Sequence, residues 1–192
     1  MSAVPDNQGD AELVRDVLAG RRDRYAILVD RHLASVFAAV NRIVGNRSDA
    51  EDLAQETFVR AFERLDQYGS DYPFRNWLLK IATNLAINHI RSRQRERARY
   101  PRIVERQQSS GGPPADMPAP GDWEHWLARL DESQRTAIVL FHFHDLSYEQ
   151  VAENMGVPLN TVRTYLHRGR KRLRELMTAR TMPESGSWTA AS

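Results

Sequence analysis

A stretch of basic and hydroxyl side chains at helical spacing lies near the carboxyl end of the chain. Residues 146–173 read LSYEQVAENMGVPLNTVRTYLHRGRKRL. Ser147 suits a helix N-cap, Gly156 can take the positive φ of a helix end, and Pro158 suits the start of a following helix. The sequence therefore predicts two short helices joined by a turn, which is the pattern of a helix-turn-helix.

The second of these helices has two distinct faces. The inward stripe predicted by helical spacing consists of Val162, Leu166, Gly169 and Leu173. The outward face carries side chains that could contact base edges and phosphates in a major groove, namely Asn160, Thr161, Arg163, Thr164, His167, Arg168 and Lys171. A polyanion would relieve the repulsion among these cations. The alternative is an ordinary helical hairpin with a solvated basic face.

Aromatic and amide side chains form a second candidate site between residues 68 and 88. Tyr68, Tyr72, Phe74 and Trp77 surround a predicted loop, and Arg75 follows it. Lys80, Asn84 and Asn88 are spaced i, i+4, i+8 and share one helix face. Such groups can stack on and hydrogen-bond single-stranded bases. Asn84 is the strongest candidate for a base contact, because an amide buried in the core would need hydrogen-bond partners. Phe74 and Trp77 are explained equally well as core residues.

The charged residues are concentrated in a few segments, while the net charge of the whole chain is only +2. An acidic segment contains Asp49, Glu51, Asp52 and Glu56. It predicts a surface for a basic protein partner, or alternatively stabilisation of a helix N-terminus. A basic segment contains Arg91, Arg93, Arg95, Arg97 and Arg99. It predicts phosphate contacts that are independent of base sequence, or alternatively a solvated helix end.

Composition limits the class of protein. A chain of 192 residues with 41% hydrophobic residues can form one large or two small domains, and two small helical domains fit the pattern better. The absence of cysteine excludes disulfides, thiol catalysis and thiolate metal sites. No apolar run has the length of a membrane span, and the polar N-terminus is unlike a secretory signal. We therefore expect a cytoplasmic protein without membrane insertion.

Helical spacing predominates along the chain, and no strand is predicted. We expect disorder in residues 1–10, a helical domain in 11–100, a linker rich in proline and glycine in 101–121, a second helical domain in 122–178 and a disordered tail in 179–192. In the first domain one helix should cover residues 48–65, and another should begin near Phe74 and continue to about Tyr100. Predicted N-caps are Asp10 and Ser48, and predicted helix terminators are Gly20 and Gly45.

Two segments together resemble a known family. DAEDLAQETFVRAFERLDQY and PFRNWLLKIATNLAINHIRSRQR, at residues 49–68 and 73–95, closely resemble region 2 of bacterial sigma factors. DESQRTAIVLFHFHDLSYEQVAENMGVPLNTVRTYLHRGRKRL, at residues 131–173, resembles region 4. Their order and the linker between them are typical of the extracytoplasmic-function, or group four, sigma factors. The resemblance implies an all-α protein with a region 2 domain and a region 4 helix-turn-helix domain joined by a flexible linker.

The resemblance also implies partners and residue roles in the first domain. It implies a sigma factor that binds core RNA polymerase, recognises and melts promoter DNA, and serves a stress- or signal-responsive regulon. The minus-ten element, with one base flipped into the loop, would be bound by Asn84, Asn88, Lys80, Trp77, Phe74, Arg75 and Tyr68. The clamp helices of the largest polymerase subunit would be bound by Asp52, Gln55, Glu56 and Phe58, with Val59 beside them.

In the second domain the resemblance implies contacts to the minus-thirty-five element and to the flap of the second-largest polymerase subunit. Bases and nearby backbone would be contacted by Arg163, Thr164, His167 and Arg168, assisted by Asn160 and Thr161, and phosphates by Lys171 and Arg172. The helix start at residues 147–149 could also offer backbone amides to a phosphate. Family members are commonly inhibited by an anti-sigma factor, and the linker would thread toward the active-centre cleft of the polymerase. No cofactor is implied.

Two other classes of function compete with this interpretation. A repressor or activator that works without polymerase would use the helix-turn-helix alone, and it would leave the aromatic and amide side chains of the first domain without a role. An enzyme is the third class. His142 and His144 are spaced i, i+2 in a predicted helix, so they cannot share a face. Without a phosphate-binding glycine loop or a paired metal-ligand motif, we expect neither a catalytic nor a metal site.

Overall fold

The computed structural model describes residues 9–69, 72–99 and 123–179, and these residues contain helices but no β-strand. The all-α prediction is confirmed. The predicted linker, residues 101–121, lies outside the described residues, as do residues 1–8 and most of the predicted tail.

Four helices build the first domain. They are α1 (Asp10–Leu18), α2 (Tyr25–Val44), α3 (Arg47–Glu63) and α4 (Phe74–Arg99), with single 3₁₀ turns at Arg22–Arg24 and Leu65–Gln67. The long helix α2 packs against both α3 and α4. The core they share contains fully buried side chains such as Leu28, Ile43 and Leu78. Burial of each such aliphatic side chain contributes about 1.5 to 3 kcal/mol, which is what fixes these helices side by side.

The ends of α2 and α3 are set by two adjacent residues. Gly45 ends α2 with φ 70°, in the left-handed conformation that glycine adopts without strain. Asn46 is extended, and its side chain accepts a hydrogen bond from the backbone N–H of Asp49 at 3.0 Å. The prediction that Ser48 caps this helix is therefore wrong. Because α2 stops at Gly45, the next residue, Asn46, is already placed to cap, and Ser48 lies inside the first turn.

The N-cap predicted at Asp10 is also displaced by one residue. Gly9 takes the extended cap position, and α1 begins at Asp10. The carboxylate of Asp10 instead accepts from Arg31 Nη1 at 2.6 Å and contacts His32 Nε2 at 2.8 Å. Asp10 therefore ties the start of α1 to the middle of α2 rather than closing its own helix.

The second domain is smaller. It contains α5 (Trp123–Leu127), α6 (Glu132–Ile138), α7 (Tyr148–Met155) and α8 (Leu159–Ala179). Directly after α6, Val139–Phe143 winds as a π-helical turn, and the segment ends at Asp145, whose φ is 55°. The wider turn buries Val139 and Leu140. It also separates the two histidines of this segment, because His142 is exposed and His144 is buried.

The two domains pack against each other, which the sequence did not predict. Helix α4 contacts α7, and α2 contacts α6 and the π-helical turn. Side-chain hydrogen bonds across the boundary join Asn41 to Glu124 at 3.1 Å, Lys80 to Glu153 at 2.7 Å and Gln94 to Glu132 at 2.8 Å. We refer to this juxtaposition of the two domains as the packed arrangement.

Candidate nucleic-acid interface

The helix-turn-helix is formed by α7, a short turn and α8. Ser147 accepts from the backbone N–H of Gln150, and the Gln150 side chain accepts from the Ser147 N–H, which makes a reciprocal capping box. Gly156 ends α7 with φ 63°. Pro158 precedes the first residue of α8, and its carbonyl accepts from the N–H of Thr161 at 2.9 Å. The start and stop predicted for this motif are confirmed.

Helix α8 presents the predicted faces. Its inward stripe is buried, with Val162 and Leu166 at most 1% exposed and Leu173 at 8%. The side chains on the opposite face are exposed, and each has another member of the set three or four residues away, namely Asn160, Arg163, Thr164, His167, Arg168 and Lys171. Thr161 lies to one side of this face and is half-buried. This exposed face of α8 has the width and the donor groups needed to enter a major groove.

Hydrogen bonds within α8 orient part of this face. Arg163 Nη1 donates to the side-chain oxygen of Asn160 at 3.1 Å, and the Thr164 hydroxyl donates to the Asn160 carbonyl at 3.0 Å. Asn160 therefore holds the guanidinium of Arg163 near the N-terminal end of the helix. In a helix-turn-helix this end of the second helix contacts the bases.

The start of α7 is less suited to binding a phosphate than the exposed face of α8. The N–H of Gln150 is already bonded to Ser147 Oγ at 3.2 Å, and the Glu149 carboxylate accepts from the Ser147 hydroxyl at 2.9 Å. Hydrogen bonds from its own backbone and from Ser147 lower the pKa of Glu149 and favour its charged form. The contacts at this helix start do not favour the phosphate contact predicted at residues 147–149, because the capping box occupies the amides of Ser147 and Gln150 and the Glu149 carboxylate repels an anion.

The aromatic side chains around the loop before α4 form one cluster. The ring centroids of Tyr68 and Phe74 lie 5.2 Å apart edge to face, and Trp77 lies 5.6 Å from each. Phe74 is only 1% exposed and belongs to the core, whereas Trp77 and Tyr68 are half-buried at its edge. The hydroxyl of Tyr68 donates to the Tyr72 carbonyl at 2.7 Å. Trp77 and Tyr68 can therefore meet a base, while Phe74 supports them from below.

The polar residues predicted beside this cluster fall into two groups. Asn84 and Asn88 are exposed on α4. Lys80 instead forms an ion pair with Glu153 at 2.7 Å. Arg75 donates from Nη1 to the carbonyl of His144 at 3.2 Å, and its Nη2 lies 2.9 Å from His144 Nδ1. In the packed arrangement the second domain therefore holds Lys80 and Arg75, and the two asparagines remain accessible.

The predicted polymerase-binding residues lie on α3. Asp52 and Gln55 are exposed, and Glu56 is half-buried beside Arg60, with which it pairs at 2.6 Å. Phe58 is 5% exposed and packs in the core. Its prediction as a surface contact is wrong, because neighbouring elements of the core cover this edge of the α3 face.

Apolar residues extend the same exposed surface of α3. Val59 is 58% exposed and Phe62 is 39% exposed, so both offer apolar area to a partner. Phe62 packs edge to face on Tyr25 with centroids 4.9 Å apart. Phe62 was not predicted from the sequence as a surface contact, although its spacing from Asp52, Gln55 and Val59 places it on their side of the helix.

At the end of α4, Arg91, Arg95 and Arg99 are exposed, as a phosphate-contacting surface requires. Arg93 instead pairs with Asp49 of α3. Asp49 therefore contacts another helix of its own domain, and the acidic surface of this segment is left to Asp52, to Glu51 paired with Arg47 and to Glu56 paired with Arg60.

Comparison with known proteins decides the family. Residues 28–96 match the sigma-70 region 2 family, and residues 123–173 match the sigma-70 region 4 family. The ECF RNA polymerase sigma factor SigW of Bacillus subtilis is 31% identical over 178 residues, which cover 84% of this chain and 93% of SigW. The chain belongs to the extracytoplasmic-function (ECF) family of RNA polymerase sigma factors. The ECF sigma-E factor of Escherichia coli is 30% identical over 84% of this chain and 91% of its own length.

Another relative and two solved structures agree with this assignment. SigE of Mycolicibacterium smegmatis is 36% identical over 78% of this ECF sigma factor and 60% of its own length. CnrH, solved with the cytosolic domain of CnrY, has a TM-score of 0.62 and 26% identity over 90% of this chain and 99% of its own. RpoE of Bartonella quintana shares the fold at a TM-score of 0.62, with 23% identity over 80% of this chain and 96% of its own.

Membership in the family establishes the activity. The protein is a sigma factor that directs transcription initiation at promoters, and its partners are core RNA polymerase and promoter DNA. None of the described helices is long and apolar enough to cross a membrane.

Proposed function

We propose that this sigma factor divides promoter recognition between its two domains. Helix α8 would read the minus-thirty-five element as duplex, and α4 with the aromatic cluster before it would capture the opened minus-ten strand. The observation that carries the proposal is the exposed face of α8, where cations, amides and hydroxyls follow one another along one side of the helix. Cations attract the phosphates, and the amides and the guanidinium of Arg163 can discriminate between bases.

The minus-ten contacts are proposed on the accessible residues of the first domain. Asn84 and Asn88 supply amides on the exposed side of α4, and Trp77 supplies a ring at the edge of the aromatic cluster. Stacking on an aromatic side chain contributes about 1 to 3 kcal/mol per base, comparable to the roughly 1.4 kcal/mol lost per unstacked base-pair step. Tyr68 adds a second ring beside Trp77, and Lys80 and Arg75 would join them once the second domain has moved.

The polymerase contacts are proposed on α3, at Asp52, Gln55 and Glu56, with the exposed apolar area of Val59 beside them. The second domain would bind the flap of the second-largest subunit. A surface that combines carboxylates with apolar side chains fits a partner helix that carries both basic and apolar residues.

Regulation and location follow from the relatives. We infer a stress- or signal-responsive regulon, a cytoplasmic site of action and no catalytic activity of the isolated chain, as for other sigma factors. A protein inhibitor of the anti-sigma kind is supported by CnrH, which was solved together with the cytosolic domain of CnrY.

Reconstitution with core RNA polymerase tests the proposal. The full chain should bind core enzyme, and transcripts made from genomic fragments should share sequence elements upstream of their starts. Sequencing the 5′ ends of these transcripts would give both elements. Absence of binding, or transcripts without a shared upstream sequence, would contradict it.

A further inference from the structure

A cavity between the two domains is lined by several guanidinium groups. Its volume is about 350 Å³, and its walls come from the end of α2, the start of α3, and α5 and α6 of the second domain. Arg42, Arg47 and Arg135 contribute positive charge, and Glu124 contributes the one carboxylate among the lining residues in the described part of the chain. The lining is therefore strongly cationic.

Arg135 is the unusual member of this set. It is only 8% exposed, and its Nε has no hydrogen-bond partner among the described residues. Its Nη1 lies 3.7 Å from where a Cβ on Gly45 would stand, so the guanidinium reaches from α6 to the end of α2. Burial lowers the pKa of Arg135 below its ordinary value. The carboxylate of Glu132 offsets only part of this effect, and a buried charge that is only partly compensated is costly unless a further anion pairs with it.

Few protein groups would compete with a bound anion for the neighbouring cations, Arg42 and Arg47. Arg42 stacks on the Phe143 ring, 4.6 Å from its centroid, and its buried Nε also has no partner among the described residues. Arg47 pairs with Glu51 at 2.9 Å on an exposed surface, where such a pair is weak. The carboxylate of Glu124 already accepts a hydrogen bond from Asn41 at 3.1 Å.

We propose that this cavity binds a small molecule carrying a diphosphate group. Planar guanidinium groups bind phosphate oxygens in pairs of parallel hydrogen bonds, and several of them match an anion of more than one negative charge. A volume of about 350 Å³ exceeds what a single phosphate needs and lies within the range of small-ligand sites. The same chemistry is presented by inorganic pyrophosphate and by a nucleoside diphosphate.

The ligand would bind residues from both domains. Arg42 and Arg47 belong to the first domain and Arg135 to the second, so the complete site exists only in the packed arrangement. Binding to one arrangement and not to the other stabilises the first. The diphosphate would therefore hold the two domains together.

Calorimetric titration of the full chain tests the proposal without polymerase or DNA, so its result is independent of the proposed promoter contacts. Sodium pyrophosphate and guanosine diphosphate would be titrated separately in metal-free buffer at constant ionic strength. Saturable binding of either, with one site per chain, is expected. Tighter binding of the nucleotide would identify a base contact in the cavity, and equal binding would identify the diphosphate alone as the ligand.

Three variants locate the site. Arg135→Met should weaken pyrophosphate binding about ten-fold or more. Arg47→Met, at a side chain that is largely exposed, should weaken it by roughly three- to ten-fold. Arg15→Met removes an exposed cation from α1, away from the cavity, and should leave the affinity unchanged. Without ligand, Arg135→Met should unfold at the same temperature as the original protein or a higher one. No binding beyond a matched chloride control, or equal binding by Arg135→Met and Arg47→Met and the original chain, would overturn the proposal.

Discussion

Under the proposed function, single side chains on α8 and α4 carry different parts of promoter recognition. Arg163 is held by Asn160 on the exposed face of α8, where a guanidinium can reach a guanine in a major groove. Asn84 is exposed on α4, beside the aromatic cluster. The two residues belong to different domains, so their loss should damage different steps.

Replacement of Arg163 tests the duplex-reading step. Arg163→Ala should cost about 1 to 3 kcal/mol in discrimination between the cognate and a scrambled minus-thirty-five element, because one base contact is lost. Affinity for core polymerase should not change. Fluorescence anisotropy with labelled duplexes measures the first quantity, and Arg15→Ala, an exposed arginine on α1, is the matched control. Equal discrimination by the variant and the control would place the reading face elsewhere.

Replacement of Asn84 tests the melting step. Asn84→Ala should reduce strand opening at the minus-ten element several-fold while the holoenzyme still binds the upstream duplex, since the amide acts on an unpaired base. Permanganate reactivity of thymines in the promoter measures opening. Unchanged reactivity together with unchanged start-site choice would remove Asn84 from the site.

A third residue-scale prediction concerns His144 and pH. Burial, followed by the charges of Arg75 and Arg42, lowers the pKa of His144 to about 4, against a smaller opposing effect of Asp145. The unfolded chain has the ordinary value near 6.5, so it binds the proton more readily than the folded chain. The contribution of His144 to stability is complete above about pH 6.5 and is lost as the pH falls toward 4, by at most about 3 kcal/mol.

Urea unfolding between pH 7 and 4.5 measures this contribution. His144→Asn keeps a side-chain acceptor for Arg75 but cannot take up a proton in this range. The free energy of unfolding of the variant should therefore fall less steeply with decreasing pH than that of the original protein. Parallel pH dependences would show that His144 is not responsible. The carboxylates are common to both proteins, so the difference between the curves isolates the histidine.

At the scale of helices, close approach between α8 and α6 depends on Gly169. A Cβ at this position would lie 2.7 Å from Ile138 Cδ1 and 3.4 Å from Gln134 Cβ. Ile138 is 2% exposed and has little room to move. The glycine therefore sets the distance between α8, the helix proposed to enter the DNA, and α6, which supports it.

Substitution at Gly169 tests this contact. Gly169→Val should destabilise the protein by about 2 kcal/mol through overpacking, even though valine is the better helix former. Gly169→Ala should cost less, since a helix-propensity gain of about 1 kcal/mol offsets part of the clash. Urea unfolding midpoints at constant m-value measure both. A valine variant as stable as the original would mean that α8 can shift without cost.

Local signals in the sequence were sufficient to predict most helix boundaries and the exposed face of α8. The capping residue Ser147 and the terminator Gly156 act within one turn, so their roles follow from neighbouring residues alone. The N-cap was misplaced from Asn46 to Ser48 because both types cap helices, and only the point at which α2 ends decides between them. The π-helical turn at Val139–Phe143 has no comparable local signature.

Contacts between distant parts of the chain could not be predicted from the sequence. The burial of Phe58 and Phe74 depends on which neighbours cover a helix face, and spacing alone does not identify them. The pairing of Arg75 with His144 and the position of Arg135 beside Gly45 depend on how the two domains meet. The candidate polar residues of the first domain were recognised by type, and their division into accessible and occupied groups required the structure.

At the scale of the whole molecule, we propose that the packed arrangement opposes minus-ten binding, because it occupies Lys80 and Arg75. Glu124, Glu132 and Glu153 of the second domain each accept a hydrogen bond from the first domain. A triple variant with glutamine at these positions should weaken the packed arrangement, although each exposed contact contributes only about 0 to 1 kcal/mol.

Small-angle X-ray scattering of the free chain tests this prediction. The radius of gyration of the triple variant should exceed that of the original protein, and its affinity for a single-stranded minus-ten oligonucleotide should rise several-fold. A charge-matched control, Asp23→Asn with Asp30→Asn and Glu63→Gln, loses the same charge away from the domain boundary. Equal scattering curves for the two variants would contradict the inhibitory role of the contacts.

Both sides of the domain boundary belong to one polypeptide, so the two surfaces remain covalently linked when they separate. Partners that are linked in one chain meet again after each separation at a rate that dilution does not reduce. Lowering the amount of sigma factor in a cell therefore cannot expose Lys80. We propose that only a competitor for one of the two surfaces can, and that core polymerase, by binding the two domains at separate places, is such a competitor.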